Sequence, residues 1–299
     1  MPNWSEVLRE IGNVDAELKS LSAPDQVRRK YLKKLFEKTR RNTIAYYSGW
    51  LSKPNIEGIH INDEDKNGFM MAVHELNRSD GLDLILHTPG GELHATESII
   101  HYLRQMFDDN IRVIVPQIAM SGGTLIACSS KQILMGKHSN LGPIDPQLRG
   151  VPAYGVIEEF RTAAEEIKED PSKVHVWNPI LSKYHPTFLS QCKNAIEHSK
   201  KVAQSYLKEI MFKDVPNNTK IAEKIVGSLT DYTGNKSHAR HIHVDECKIL
   251  GLKVLELESD HELQELVLTV HHAFVHTLMN TRSFKIIENH IGRSLIKLM

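Results

Sequence analysis

Two glycine-rich turns hold the residue types in this sequence best suited to chemistry. One reads His87-Thr88-Pro89-Gly90-Gly91, the other Met120-Ser121-Gly122-Gly123-Thr124. In the first, proline fixes the direction of the chain, and the two glycines let bare backbone N–H groups face a cleft. In the second, a serine opens a helix. Its hydroxyl sits at the positive end of the helix dipole, uncrowded by its glycine neighbours. Alone, such a serine is an ordinary N-cap. Two such turns separated by one β-α-β unit would lie side by side on adjacent strands. That gives what acyl transfer requires, an activated hydroxyl with backbone donors beside it for the developing oxyanion.

The turns need rigid carriers, and the flanking pattern supplies them. Residues 82–87 (LDLILH) and 111–115 (IRVIV) read as buried strands, with further strands over 43–50 (TIAYYSGW) and 132–135. Helical spacing covers 62–77, 93–107 and 121–130. Strands alternating with helices predict βαβ crossovers and a mainly parallel sheet covered on both faces. Ligands bind such sheets at the C-terminal strand edge, where both turns fall. After residue 145 the pattern is mostly helical, notably 155–168 and 187–212. Then come a helix over 244–250 capped by Gly251, a strand over 253–257 and an amphipathic helix over 260–280. Residues 4–41 read as charged helices broken at Ser22-Ala23-Pro24-Asp25, where Ser22 or Asp25 can cap the second. They read as an extension outside the core, either a packing arm or an oligomer contact.

Composition narrows the function classes. The 299 residues suffice for a full core, and 37 basic residues balance 37 acidic ones, so no nucleic-acid footprint is expected. The local basic stretch Arg28, Arg29, Lys30, Lys33, Lys34, Lys38, Arg40 and Arg41 reads as a solvated helix face rather than a lipid or nucleic-acid contact. Three widely spaced cysteines form no disulfide framework, which points to a reducing compartment and a cytoplasmic location. The polar N-terminal segment lacks a signal peptide's apolar core, and no stretch is long and apolar enough to span a membrane. Among 17 histidines, His238, His241 and His243 cluster, and His272 and His276 share a helix face. No HExxH or CxxC pattern accompanies them, so neither metal nor cofactor is expected.

The run LILHTPGGELHATESIIHYLR, followed by VIVPQIAMSGGTLIACSSKQILMGKHSNLGPIDPQL, resembles the ClpP/signal peptide peptidase A superfamily. Within it, the resemblance is to the serine dehydrogenase proteinase family. The later HIHVDECKILGLKV resembles that fold's closing element of acidic residue, helix, Gly-Leu and hydrophobic strand. The resemblance covers residues 43–258 and implies a ClpP/crotonase-like α/β domain there, with helical extensions at 1–42 and 259–299. It further implies a serine peptidase working through an acyl-enzyme on Ser121, with an oxyanion hole from the Gly91 and Gly122 amides and Gly90 alongside. The implied partners are a peptide or protein substrate and further copies of the chain, with peripheral membrane recruitment compatible.

The general base departs from the pattern. ClpP's histidine falls in register on or next to Asp145, within Asn140-Leu141-Gly142-Pro143-Ile144-Asp145-Pro146, and His138 comes several residues early. A Ser-Lys dyad is therefore expected, with Lys183 preferred to Lys173. The "-SKY-" around Lys183 resembles the lysine-bearing strand of signal peptide peptidase A. Trp177, Ile180, Leu181 and Tyr184 could bury its amine so that it loses a proton near neutrality. Asp145, between two prolines, suits orienting a base, binding substrate backbone or capping a turn, and His87 reads as a packed histidine. Dehydrogenase chemistry is unsupported, since no GxGxxG follows a strand. Two alternatives stand beside peptidase function. One is an oligomeric scaffold or partner-binding module with weak or lost hydrolysis. The other is a crotonase-like acyl-CoA enzyme, which would not need a serine at position 121.

Overall fold

The computed structural model describes residues 4–15, 22–148, 150–231 and 238–299. Period-2 alternation in its strands sets the layering. The central sheet contains β1 (Asn42–Ser48), β2 (Leu82–His87), β3 (Ile111–Val115), β5 (Gln132–Met135) and β10 (Val254–Glu256), all parallel. Ile44, Tyr46, Leu84, Leu86, Val113, Val115, Ile133 and Met135 feed one apolar core. Their neighbours Ala45, Tyr47, Ile85, Ile114 and Leu134 feed the core on the opposite face. Buried on both faces, the strands can only be joined by crossovers, as expected.

The first face is covered by α3 (Asp65–Val73), α4 (Leu93–Phe107), α5 (Gly122–Cys128), α9 (Asn218–Leu229) and α10 (Val244–Leu250). The second is covered by α2 (Ala23–Thr39) and α11 (His261–Asn280), with Val7 of α1 (Trp4–Asp15) packed beside them. Of the two readings of the N-terminal segment, the structure shows packing, and as part of the core on this face rather than outside it. Ser22 caps α2 as expected, and Val27, Leu32 and Leu35 are fully buried under α11. Its basic face is not wholly solvated. Arg28 has no exposed surface, and its Nε pairs with the equally buried Glu288 at 2.9 Å.

Glu288 belongs to a second departure. The C-terminal extension is helical only as far as Asn280. Beyond it, β11 (Ser283–Asn289) pairs antiparallel with β1, and β12 (Ser294–Leu298) pairs with β11, closing a seven-stranded sheet of order β10-β5-β3-β2-β1-β11-β12. Buried charges obscured this hairpin. Lys285 Nζ is held 2.9 Å from Asp65, and Tyr46 donates its hydroxyl to the same carboxylate at 2.8 Å. Burial pushes the Lys285 amine down to about 8.

A separate small sheet joins β4 (Ile118–Ala119), β6 (Asn140–Leu141) and β9 (Ile242–His243) beyond the ends of the parallel strands. Further out, after the hairpin β7 (Gln147–Leu148) and β8 (Val151–Pro152), lie α6 (Ala153–Glu169), α7 (Val174–Leu181) and α8 (Phe188–Tyr206). Ala153, Val156, Phe188, Cys192 and Ile196 give α6 and α8 an apolar cluster of their own. No described helix is long and apolar enough to cross a membrane. All three cysteines are buried free thiols.

Candidate active site

The two glycine turns meet. Thr88 bridges Ala119, and the Met120 N–H donates to the Thr88 carbonyl at 3.0 Å, so the turn after β2 lies against the one after β4. Gly90 adopts φ +89°, and a Cβ there would come within 2.7 Å of both the Met120 oxygen and Ser121 Cβ. At Gly91 a Cβ would stand 2.3 Å from the Ile61 backbone. Both glycines are required because backbone packs on backbone. A Cβ on Gly122 would lie 3.4 Å from the Gly91 nitrogen, which places the two amides on one patch. Gly122 opens α5, so its N–H has no intrahelical acceptor. Among the described residues, no acceptor engages the Gly91 amide.

Ser121 has φ +50° and ψ −111°, outside the regions an L-residue ordinarily occupies. Such strain costs on the order of 1–3 kcal/mol, and at a strand-to-helix turn it presents the hydroxyl outward. The turn is pinned from below. The Thr124 hydroxyl donates to the Ala119 carbonyl at 3.0 Å and accepts the Gly142 N–H at 3.0 Å. Ser121 opens onto a cavity of about 870 Å³, walled by Leu93, Leu125, Ile144 and Leu148 and by one face of α8 that includes Asn194 and His198.

Lys183 does not line this cavity. It is exposed in the turn after α7, and its segment is helical where the sequence pattern suggested a strand. The side chains expected to bury it are engaged elsewhere. Trp177 donates to Glu166 at 3.1 Å, and Tyr184 bonds Glu159 and stacks on Phe188. Lys173 pairs with Glu166 at 3.3 Å, also away from the cavity. His138 folds against Gly136 and has Glu258 and His271 as its electrostatic neighbours. His87 is packed, as expected, between Tyr47, Trp50 and His271 behind the sheet.

The structure brings Asp145 to a histidine that the sequence had marked only as part of a cluster. His238 lines the Ser121 cavity, and its Nδ1 lies 2.9 Å from Asp145 Oδ1. The small sheet explains the meeting. β6 and β9 pair antiparallel with Leu141 opposite Ile242, and continuing that register sets Asp145 opposite His238. β4 runs parallel to β6 on the other side, and Ser121 follows it closely. Asp145 is almost fully buried, and its Oδ2 accepts no hydrogen bond among the described residues. A carboxylate on Nδ1 holds that nitrogen protonated and leaves Nε2 as the free lone pair. The signal was present as the spacing of 145 and 238 about the paired dipeptides, but it needs the strand pairing to be seen.

His198, at the rim of the cavity lining, belongs to a second histidine–carboxylate pair. His198 Nε2 lies 2.7 Å from Glu97 Oε2, which also stands 3.4 Å from His94 Nδ1. Its carboxylate is more open than that of Asp145, with 24% of the side chain exposed against 3%.

Comparison with known proteins supplies the family. The model of the ClpP-like SDH-type serine proteinase family matches residues 19–279. Two uncharacterized proteins of Methanocaldococcus jannaschii are similar in sequence. MJ0137 is 31% identical over 194 residues, which is 65% of this chain and 60% of that protein. MJ1495 is 36% identical over 110 residues, 37% of each chain. The match therefore spans less than two thirds of either relative. With most of its length matched and the two glycine turns brought together, the chain belongs to the ClpP-like SDH-type serine proteinase family.

Proposed function

We propose that the protein is a serine endopeptidase in which Ser121 forms the acyl-enzyme, His238 is the general base and Asp145 orients it. The observation that carries this is the 2.9 Å His238–Asp145 contact on the wall of the cavity that Ser121 opens onto. A peptide carbonyl seated over the turn would direct its oxygen at the Gly91 and Gly122 amides. The Ser121 hydroxyl adds to the carbonyl carbon as its proton passes to His238 Nε2, and the amide N–H of the oxyanion hole takes up the developing charge. His238 then protonates the leaving amine, and water deacylates the enzyme by the reverse path. Asp145 holds the ring in place and stabilises the imidazolium that forms. The apolar walls suit a hydrophobic side chain beside the scissile bond.

This replaces the Ser-Lys dyad. The expectation of a homo-oligomer travels with the fold, and light scattering on the purified chain reads it directly. The peptidase reading is tested by a peptide-library digest. The wild type and Lys183→Ala should cleave alike, and His238→Ala should lose about 10³-fold or more in kcat. Loss with His198→Ala but not with His238→Ala would move the base to the rim pair. Absence of any cleavage would favour a scaffold on the same fold.

A further inference from the structure

The rim pair has a third member whose geometry differs from that of a catalytic couple. One ligand atom from each of His94, Glu97 and His198 lies within 4.8 Å of the other two. His94 and Glu97 stand three apart on the first turns of α4, and His198 faces them from α8. The His94 and His198 rings tilt together with centroids 5.4 Å apart. Among the described residues, no lysine or arginine pairs with Glu97; the two imidazoles are its ion-pair partners, with the Tyr206 hydroxyl also in its field. Two imidazole nitrogens and a carboxylate oxygen form a donor set for zinc-type ions. Tetrahedral ligands about 2.0–2.1 Å from such an ion are separated by about 3.4 Å. The His94–Glu97 distance already has that value, and the His198–Glu97 contact must open by less than an ångström.

We propose that His94, Glu97 and His198 bind a divalent transition-metal ion of the zinc type, which pins α8 to α4 across the mouth of the Ser121 cavity. Both histidines line that cavity. α4 begins directly after Gly91 and Glu92, so one end of the clip is anchored beside the oxyanion amides. The other end is on α8, which otherwise reaches the floor of the site through the Ser199 hydroxyl on the Ile144 carbonyl at 2.9 Å. The ion takes the place of the proton joining His198 to Glu97, so metal and protons compete. Three protein ligands leave a coordination position for water or a substrate oxygen. The sequence pattern had offered no metal, because these ligands are split between helices a hundred residues apart in the chain and no short motif joins them.

The binding claim stands apart from the peptidase reading; only the consequence for turnover rests on it. Metal-free full-length protein is titrated with Zn2+ by calorimetry and with Co2+ by visible absorption. One saturable site per chain is expected, unchanged in Ser121→Ala and weakened at least about tenfold in His94→Ala, Glu97→Gln and His198→Ala. Hydrogen exchange of α8 should slow with Zn2+ in the wild type and not in His94→Ala, whose altered side chain is 86% exposed and leaves the fold intact. If the protein hydrolyses peptides, Zn2+ should slow it in the wild type and spare His94→Ala. Equal zinc affinity in wild type and all three rim variants would overturn the site. So would binding lost in His238→Ala but kept in His198→Ala. Binding with unaltered α8 exchange would overturn the clip.

Discussion

At the scale of single residues, the Ser121 turn couples the proposed function to instability. Ser121 holds a backbone conformation that glycine adopts freely. Ser121→Gly should therefore raise the denaturant midpoint, by the equivalent of about 1 kcal/mol once glycine's entropy is deducted, while removing the nucleophile. A lower midpoint than wild type would mean that the backbone there is unstrained. Asp145→Asn should leave the fold intact but favour the wrong imidazole tautomer, with kcat falling about 10²–10⁴-fold and KM little changed. The two glycine turns that meet in the structure were legible from the sequence, because strand–Gly–Gly and Ser-Gly-Gly–helix are local patterns. The histidine proposed as base was not. Asp145 stands on or next to the position where the ClpP pattern has its histidine, and His238 lies outside the runs that carry the resemblance, in the segment before the last crossover helix. A reading that kept the usual order of types found no base and turned to Lys183.

At the scale of elements, most strands and helices followed from periodicity: residues 82–87, 93–107 and 111–115 have the expected bounds. The C-terminal hairpin was hidden because Lys285 and Glu288 are polar letters at fully buried positions, satisfied by distant segments: Lys285 by Asp65 and the His60 carbonyl, Glu288 by Arg28 and Arg29. Breaking one of these pairs leaves its partner under-compensated. Lys285→Met should cost on the order of 3 kcal/mol in a urea titration, since the buried Asp65 then loses its nearer cation and keeps only Lys297 at 3.3 Å. A change under about 1 kcal/mol would show that the hairpin does not depend on the pair. Deleting residues 281–299 should be worse, because it also uncovers β1 as a sheet edge, and aggregation on expression is the expected readout.

At the scale of the whole molecule, two faces of one sheet have different duties. The face under α4, α5 and α8 carries the cavity, while the face under α2 and α11 carries a buried aromatic and histidine cluster. There, burial pushes the His87 imidazole down to about 3, and His271 is held well below its ordinary value by burial and by its histidine neighbours. Both stay neutral in the folded state, whereas the unfolded chain takes up protons as pH falls through about 6.5. In that window the unfolded state binds more protons, so stability declines from about pH 6.5 toward pH 3. His87→Phe should make this decline shallower, as read from urea midpoints across that range.

The central claim is that Ser121 is activated by His238 within a ready oxyanion hole. Fluorophosphonate labelling of the wild type, Ser121→Ala, His238→Ala and Lys183→Ala tests it most directly. Labelling should appear in the wild type and Lys183→Ala, vanish in Ser121→Ala and fall steeply in His238→Ala. Labelling that survives in His238→Ala but disappears in Lys183→Ala would contradict the triad, and none in the wild type would contradict an active serine site altogether.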